Sequence, residues 1–215
     1  MIEYWKRNIL ETWNIFSHNY LLLAAPHLLS ILILLLIGNF VGTSIESIES
    51  IPLPKAILIL ALLLIILGVQ LGAISMNYNA IIGKKIAFQN IFQQFDKLHL
   101  ILIPQIGLIT ILFILINILP FSAYVFILIA AILSFLFLFF YDYLIIIENL
   151  SMKDAIIKNY SLVSSYPLLI AQFVLISFLI AFCLSIVQLI GTILSMCFIR
   201  IIGIKFFLML SNQSK

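Results

Sequence analysis

Apolar positions in this chain recur in two patterns. In the first they fill runs on every side for about 20 residues, long enough at 1.5 Å per residue for a helix to cross roughly 30 Å of hydrocarbon. Such runs cover Tyr20 to Val41, Ala56 to Ser75, Leu98 to Asn117 and Ala123 to Ile147, and two more share Tyr166 to Leu210 with Gly191-Thr192 as the turn between them. Pro52 and Pro54 block helix continuation after the first run, and Leu119-Pro120-Phe121-Ser122 makes the turn into the fourth.

In the second pattern apolar residues return every three or four positions with polar ones between them, the mark of a helix lying along a surface. Ile2, Trp5, Ile9, Trp13 and Phe16 do so between Met1 and Asn19, with Lys6, Arg7, Glu11 and Asn14 interleaved. Between Met76 and Lys97, Phe88, Ile91, Phe92, Phe95 and Leu98 line one face of a second helix, and Gln89, Asn90, Gln93, Gln94 and Asp96 the other. A third helix starts at Ser151 as N-cap with Asp154 three residues on, a capping box, and carries Met152, Ala155, Ile156, Tyr160 and Val163 as its apolar face.

The two patterns alternate. Aligned on Ile9, Ile91 and Ile156, the three surface helices read Ile-Leu-Glu-Thr-Trp-Asn, Ile-Phe-Gln-Gln-Phe-Asp and Ile-Ile-Lys-Asn-Tyr-Ser, and each is followed by an apolar hairpin. The chain therefore reads as one all-α membrane domain of six transmembrane helices, built from three interfacial-helix-plus-hairpin repeats at residues 1–75, 76–147 and 148–210, with a tail at 211–215. Each repeat contains an even number of crossings, so all three share one orientation.

Composition narrows the class further. With 65% hydrophobic and 9% charged residues, and a mean hydropathy of +1.29, the polar surface is too small to cover a soluble globule of 215 residues. A membrane β-barrel is excluded because its strands alternate apolar and polar residues. The net charge of +3 matters through its placement. Lys6, Arg7, Lys84, Lys85, Lys97, Lys153, Lys158 and Lys215 fall on one side of the predicted topology and only Lys55 on the other, which puts both termini in the cytoplasm of a cell-membrane protein. The spread of basic residues suits an anionic inner leaflet and gives nucleic-acid binding no support. The first apolar run is too long for a signal peptide and ends without a small-x-small cleavage site, so it is expected to be retained.

The best-defined stretch runs from Tyr141 to Pro167: an aromatic span end, a short turn with an acid, Ser151-x-x-Asp154-Ala155-Ile156, and Tyr160-Ser161-Leu162 ahead of the next span. It resembles the six-helix membrane domain attached to some bacterial glycerophosphoryl diester phosphodiesterases, and segments of a broad set of uncharacterised bacterial and archaeal membrane proteins. The resemblance implies a fold and a membrane. The soluble phosphodiesterase domain of that family has no counterpart here, so no catalytic residue carries over.

Polar side chains within the spans are the candidate chemistry. His27, Gln70, Gln105 and Gln172 each lie five to seven residues from the cytoplasmic end of a span, about 9 Å deep, with Asp142 at a similar depth. This layer is either a vestibule for a polar ligand or lipid headgroup, or a network of structural bonds worth about 1 kcal/mol or less each. Arg200 completes the binding set. It lies near the middle of the sixth span, where insertion costs on the order of 3 kcal/mol and Asp142 is its natural partner, or else span six breaks near Gly203 and Arg200 reaches the inner interface.

Gly68 and Gly72 form a GxxxG that allows close packing within the bundle or in a homo-oligomer, as do Ser177, Ala181 and Ser185. Cys183 and Cys197 lack CxxC spacing and read as small apolar fillers. No HExxH, GxSxG or phosphate-binding glycine loop is present. The sequence thus points to a non-enzymatic protein without cofactor or metal: a membrane scaffold, regulator or lipid-interacting protein whose partners are the bilayer and another membrane protein or a second copy. The alternative is a small-solute or lipid transporter or channel using the polar layer.

The topology has a direct check. The triplets at Asn149, Asn159 and Asn212 stay unmodified on translation into microsomes, while an acceptor site placed beside Lys55 is glycosylated; a glycan on any of the three reverses the assignment.

Overall fold

The computed structural model describes residues 2–42, 52–118, 132–134 and 136–213. Among them every regular element is helical. Most of the loop between the first two spans, the turn at Leu119–Ser122 and the start of the fourth span lie outside the described residues.

Helix α1 (Ile2–Gly42) contains both the first surface helix and the first span, and its one departure from helical geometry falls at Asn19 (φ −128°, ψ 16°), the predicted boundary. The cause is local. Ser17 Oγ donates to the Asn14 carbonyl at 3.1 Å, His18 Nδ1 lies 2.8 Å from the same oxygen, and Asn19 Nδ2 donates to the Ile15 carbonyl at 3.1 Å. Side chains thus occupy the acceptors that would have continued the ladder.

Helix α2 (Leu53–Ile81) opens behind Pro52 with Pro54 in its first turn, where a missing N–H has no partner to lose. Its two halves meet different surroundings: Leu53, Ile57, Leu58, Leu60 and Leu63 are exposed, whereas Gly68, Val69, Leu71 to Ile74, Met76 and Asn77 are buried.

The second surface helix expected over Met76–Lys97 is not an α-helix. Helix α2 runs on to Ile81, the chain reverses through Gly83 (φ 72°), and two short 3-10 turns follow at Phe88–Phe92 and Phe95–Lys97. Asn90 diverts the backbone by accepting from the Ala87 N–H at 2.6 Å and donating to Gln93 Oε1 at 2.8 Å. Ile91 is fully buried, and Phe88 and Phe92 are about half exposed, at 50% and 48%.

This segment, rather than another membrane helix, is what the GxxxG receives. A Cβ at Gly72 would collide with the Ile91 backbone carbonyl, and one at Gly68 would lie 2.5 Å from the Phe95 ring. Helix α3 (Leu98–Ile118) follows with its predicted bounds almost unchanged.

The fourth span is interrupted where it is described. Helical residues at 132–134 and 136–138 precede a turn at Phe139–Phe140, and helix α4 (Tyr141–Ile146) starts afresh. Asn149, in the left-handed region at φ 55°, ends it, and the Leu150 N–H bonds back to the Leu144 carbonyl at 3.2 Å.

Helix α5 (Met152–Ser165) is the third surface helix. Ser151 Oγ accepts from the Asp154 N–H at 3.3 Å, as a cap should, but the hydroxyl also donates to the Asp154 carboxylate at 2.6 Å. Its buried residues are Ala155, Asn159, Leu162 and Val163, while Tyr160 stacks on Phe137 at 5.9 Å.

Helices α6 (Pro167–Ser185) and α7 (Gln188–Gln213) complete the described chain. The reversal between them falls at Ile186 and Val187, with Gln188 at φ 52°, and not at Gly191. Gly191 lies inside α7, against the Leu184 carbonyl, where a Cβ would collide. Nor does α7 break at Gly203, whose missing side chain makes room for the Tyr143 hydroxyl and the Phe173 ring.

Four of these helices are long and apolar enough to cross a membrane: Glu3–Asn39 within α1, Leu53–Ile81, Pro167–Leu184 and Ile190–Gln213. The chain forms two compact units, each built from two separate stretches of the sequence. Unit 1 (Met1–Phe95 with Phe178–Ile202) is centred on Phe16, Leu23, Ile86, Ile193, Cys197, Phe198 and Ile201. Unit 2 (Asp96–Ser177 with Gly203–Lys215) has an aromatic centre in which Phe173 stacks on Phe206 at 5.0 Å and Phe140 meets Phe207 at 5.7 Å.

Replacing Gly72 by alanine forces the Ile91 backbone away and destabilises unit 1 by about 1–3 kcal/mol, the usual cost of overpacking. Gly38→Ala and Gly107→Ala, whose Cβ atoms meet nothing within 4 Å, serve as controls. In detergent, thermal unfolding of Gly72→Ala falls by several degrees, at about 2–4 °C per kcal/mol, while the controls do not fall.

Candidate functional site

Three of the six candidate residues meet in unit 1. Their positions follow from helix periodicity: Leu23, His27 and Ser30 share one face of α1, and Cys197, Arg200 and Ile201 share one face of α7. The α2 contribution is Gln70, between the buried Val69 and Leu71.

Ser30 is the hub of this cluster. Its hydroxyl donates to the Pro26 carbonyl at 2.9 Å and accepts from Gln70 Nε2 at 2.7 Å, so both of its bonding roles are used. Arg200 Nη1 donates to the Gln70 backbone carbonyl at 3.1 Å, and Cys197 Sγ donates to the Leu23 carbonyl at 3.4 Å. Gln70 therefore joins α1 through its side chain and α7 through its backbone. With α7 unbroken, Arg200 stands near its middle, as one of the two sequence-based alternatives required.

His27 differs from its neighbours. It is 1% exposed, and neither ring nitrogen has a hydrogen-bond partner among the described residues. A buried polar group without a partner costs about 1–3 kcal/mol, which makes His27 the least explained side chain of the cluster.

Gln105, Asp142 and Gln172 belong to unit 2. Gln105 and Gln172 are half-buried, with Gln172 Oε1 buried and unbonded, and Asp142 sits in the first turn of α4. The six candidates thus divide between the units, His27, Gln70 and Arg200 belonging to unit 1 and Gln105, Asp142 and Gln172 to unit 2.

Sequence reasoning passed over two polar sites in unit 2. Asn159, noted only as a glycosylation triplet, is fully buried; its Nδ2 donates to the Leu136 carbonyl at 2.7 Å and its Oδ1 accepts from the Phe140 N–H at 2.6 Å. The signal was an amide in line with Ala155, Leu162 and Val163 on the apolar face of α5. Lys158 forms the second site, donating to Glu148 Oε2 at 2.6 Å and to Ser211 Oγ at 3.1 Å, while the Ser211 hydroxyl donates to the other Glu148 oxygen. Lys97 Nζ and Tyr141 Oη add bonds to the Ile145 and Leu100 carbonyls, at 3.1 and 2.7 Å.

Neither cysteine forms a disulfide, Cys183 being exposed and Cys197 buried. Among the described residues no group of three or more His, Cys, Asp and Glu side chains is placed to hold a metal ion. Compared with models of protein families, with curated proteins and with solved structures, the chain gives no match.

The Ser30–Gln70 bond makes an asymmetric prediction. Ser30→Ala removes the side-chain partner of the half-buried Gln70 amide and lowers stability by about 1 kcal/mol. Gln70→Leu costs less, because Ser30 keeps its bond to Pro26, and Gln70→Leu in the Ser30→Ala background restores most of the loss. Thermal unfolding of the two single variants and the double variant checks the order.

Proposed function

We propose that this chain is a six-span integral protein of the cell membrane, with three interfacial segments and both termini on the cytoplasmic side. It acts without catalysis, as a scaffold or regulator that engages lipids or a second membrane protein. The observation that carries this is the use to which its buried and half-buried polar groups are put. Ser30, Gln70, Cys197, Asn159 and Lys158 each close a bond between separate stretches of chain, and Arg200 donates to a backbone carbonyl. These are positioning bonds.

The three cytoplasmic segments suit partner or lipid contact. Phe88 and Phe92 are half exposed beside the exposed Lys84 and Lys85, and Trp13 and Tyr160 are exposed on the other two. An aromatic beside a cation favours the headgroup layer of an anionic leaflet. The likeness of Tyr141 to Pro167 to the membrane domain attached to some glycerophosphoryl diester phosphodiesterases favours the same membrane-embedded role.

His27 supports one competing reading, passage of a small solute or lipid, because its imidazole is buried without a hydrogen-bond partner among the described residues in an otherwise bonded cluster. Reconstitution into liposomes distinguishes the two. A scaffold gives no flux of a solute panel and no lipid scrambling above protein-free vesicles, and His27→Leu behaves as the parent does. Flux or scrambling abolished by His27→Leu would replace the scaffold with a transporter.

A further inference from the structure

An uninterrupted helix through residues 136–140 would contain one bond between its ends, from the Phe140 N–H to the Leu136 carbonyl. Asn159 bonds both groups of that missing bond. Its Nδ2 donates to the Leu136 carbonyl at 2.7 Å, its Oδ1 accepts from the Phe140 N–H at 2.6 Å, and the backbone turns at Phe139–Phe140 between them. A carboxamide can serve as a spacer of this kind because it presents a donor and an acceptor side by side; an ionised aspartate lacks the donor and leucine lacks both.

We propose that Asn159 is a latch between α5 and the apolar segment 136–146, holding that segment broken and giving it a second, continuous state once the amide withdraws. In the second state the Phe140 N–H closes onto the Leu136 carbonyl and the turn at Phe139–Phe140 becomes helix. The exchange keeps the Leu136 carbonyl and the Phe140 N–H paired in both states, as a two-state element inside an apolar interior requires.

Two further contacts couple the latch to the surface helix. Tyr160, next to Asn159, stacks on Phe137 at 5.9 Å, inside the span that the latch holds apart. Lys158, on its other side, is bonded to Glu148 and Ser211. A shift of α5 therefore draws the amide and the Phe137 stack together, so that a partner or lipid acting on α5 reaches the backbone of the segment beside it. The latch stands on unit 2 geometry alone and does not depend on whether the protein proves to be scaffold or transporter.

The test uses the full chain in liposomes, with Cys183→Ala and Cys197→Ala, and with Phe137→Cys and Tyr160→Cys as a reporter pair. Disulfide formation between the pair is timed with and without Asn159→Leu. The latch requires the leucine variant to cross-link about tenfold more slowly or worse, the equivalent of losing two ordinary hydrogen bonds. An unchanged rate in a variant that keeps the parent's helicity and elution would overturn it.

If the leucine variant does not fold, amide exchange on the unmodified protein decides. Withdrawal of the amide frees the Asn159 side-chain N–H while the Phe140 N–H passes to the Leu136 carbonyl, so the side-chain amide exchanges faster than the Phe140 N–H by about tenfold or more. Protection factors that agree within about threefold, the mark of one common opening, would overturn the latch.

Discussion

A polar group sealed among apolar side chains must find its hydrogen bond inside the protein, because neither lipid nor packed hydrocarbon supplies one. That constraint explains more of this structure than hydrophobic burial does. In a chain this apolar nearly any helix pairing buries leucine and isoleucine, so burial alone selects poorly among arrangements. The amides and hydroxyls select. Gln70 reaches Ser30, Cys197 finds the Leu23 carbonyl, and Asn159 fits between two backbone groups, each fixing a register that oily contacts would leave free.

The constraint also accounts for what the sequence made legible. The boundary at Asn19 and the start of α5 at Ser151 could be read because the groups responsible are within five residues of one another. The course of residues 76–97 could not. Helical spacing is present there, but Asn90 captures nearby backbone and side-chain groups, and Ile91 is drawn to a glycine nineteen positions back. Periodicity records which side of a helix is apolar, and it is silent on a side chain that competes for the backbone.

The candidate site shows the same division. Depth in a span could be counted from the sequence, and it placed five polar residues in a common layer. Which of them touch depends on pairings such as Ser30 with Gln70, forty positions apart, and Gln70 with Arg200, 130 positions apart. Asn159 was hidden for a related reason, since its partners are backbone atoms, which carry no residue identity to search for. Arg200 needed only the fact that α7 is unbroken, a matter of whether Gly203 is a hinge or a contact.

Unit 1 joins the first 95 residues to Phe178–Ile202 and leaves the intervening stretch to unit 2. The timetable of synthesis follows from this. Phe16 and Leu23 leave the ribosome long before Cys197, Phe198 and Ile201, which complete their core. At about 5–20 residues per second the wait is on the order of ten seconds or more. Throughout it the α1 face bearing His27 and Ser30 is without its α7 neighbour, so the nascent chain, more than the finished protein, is the form that needs a chaperoning surface.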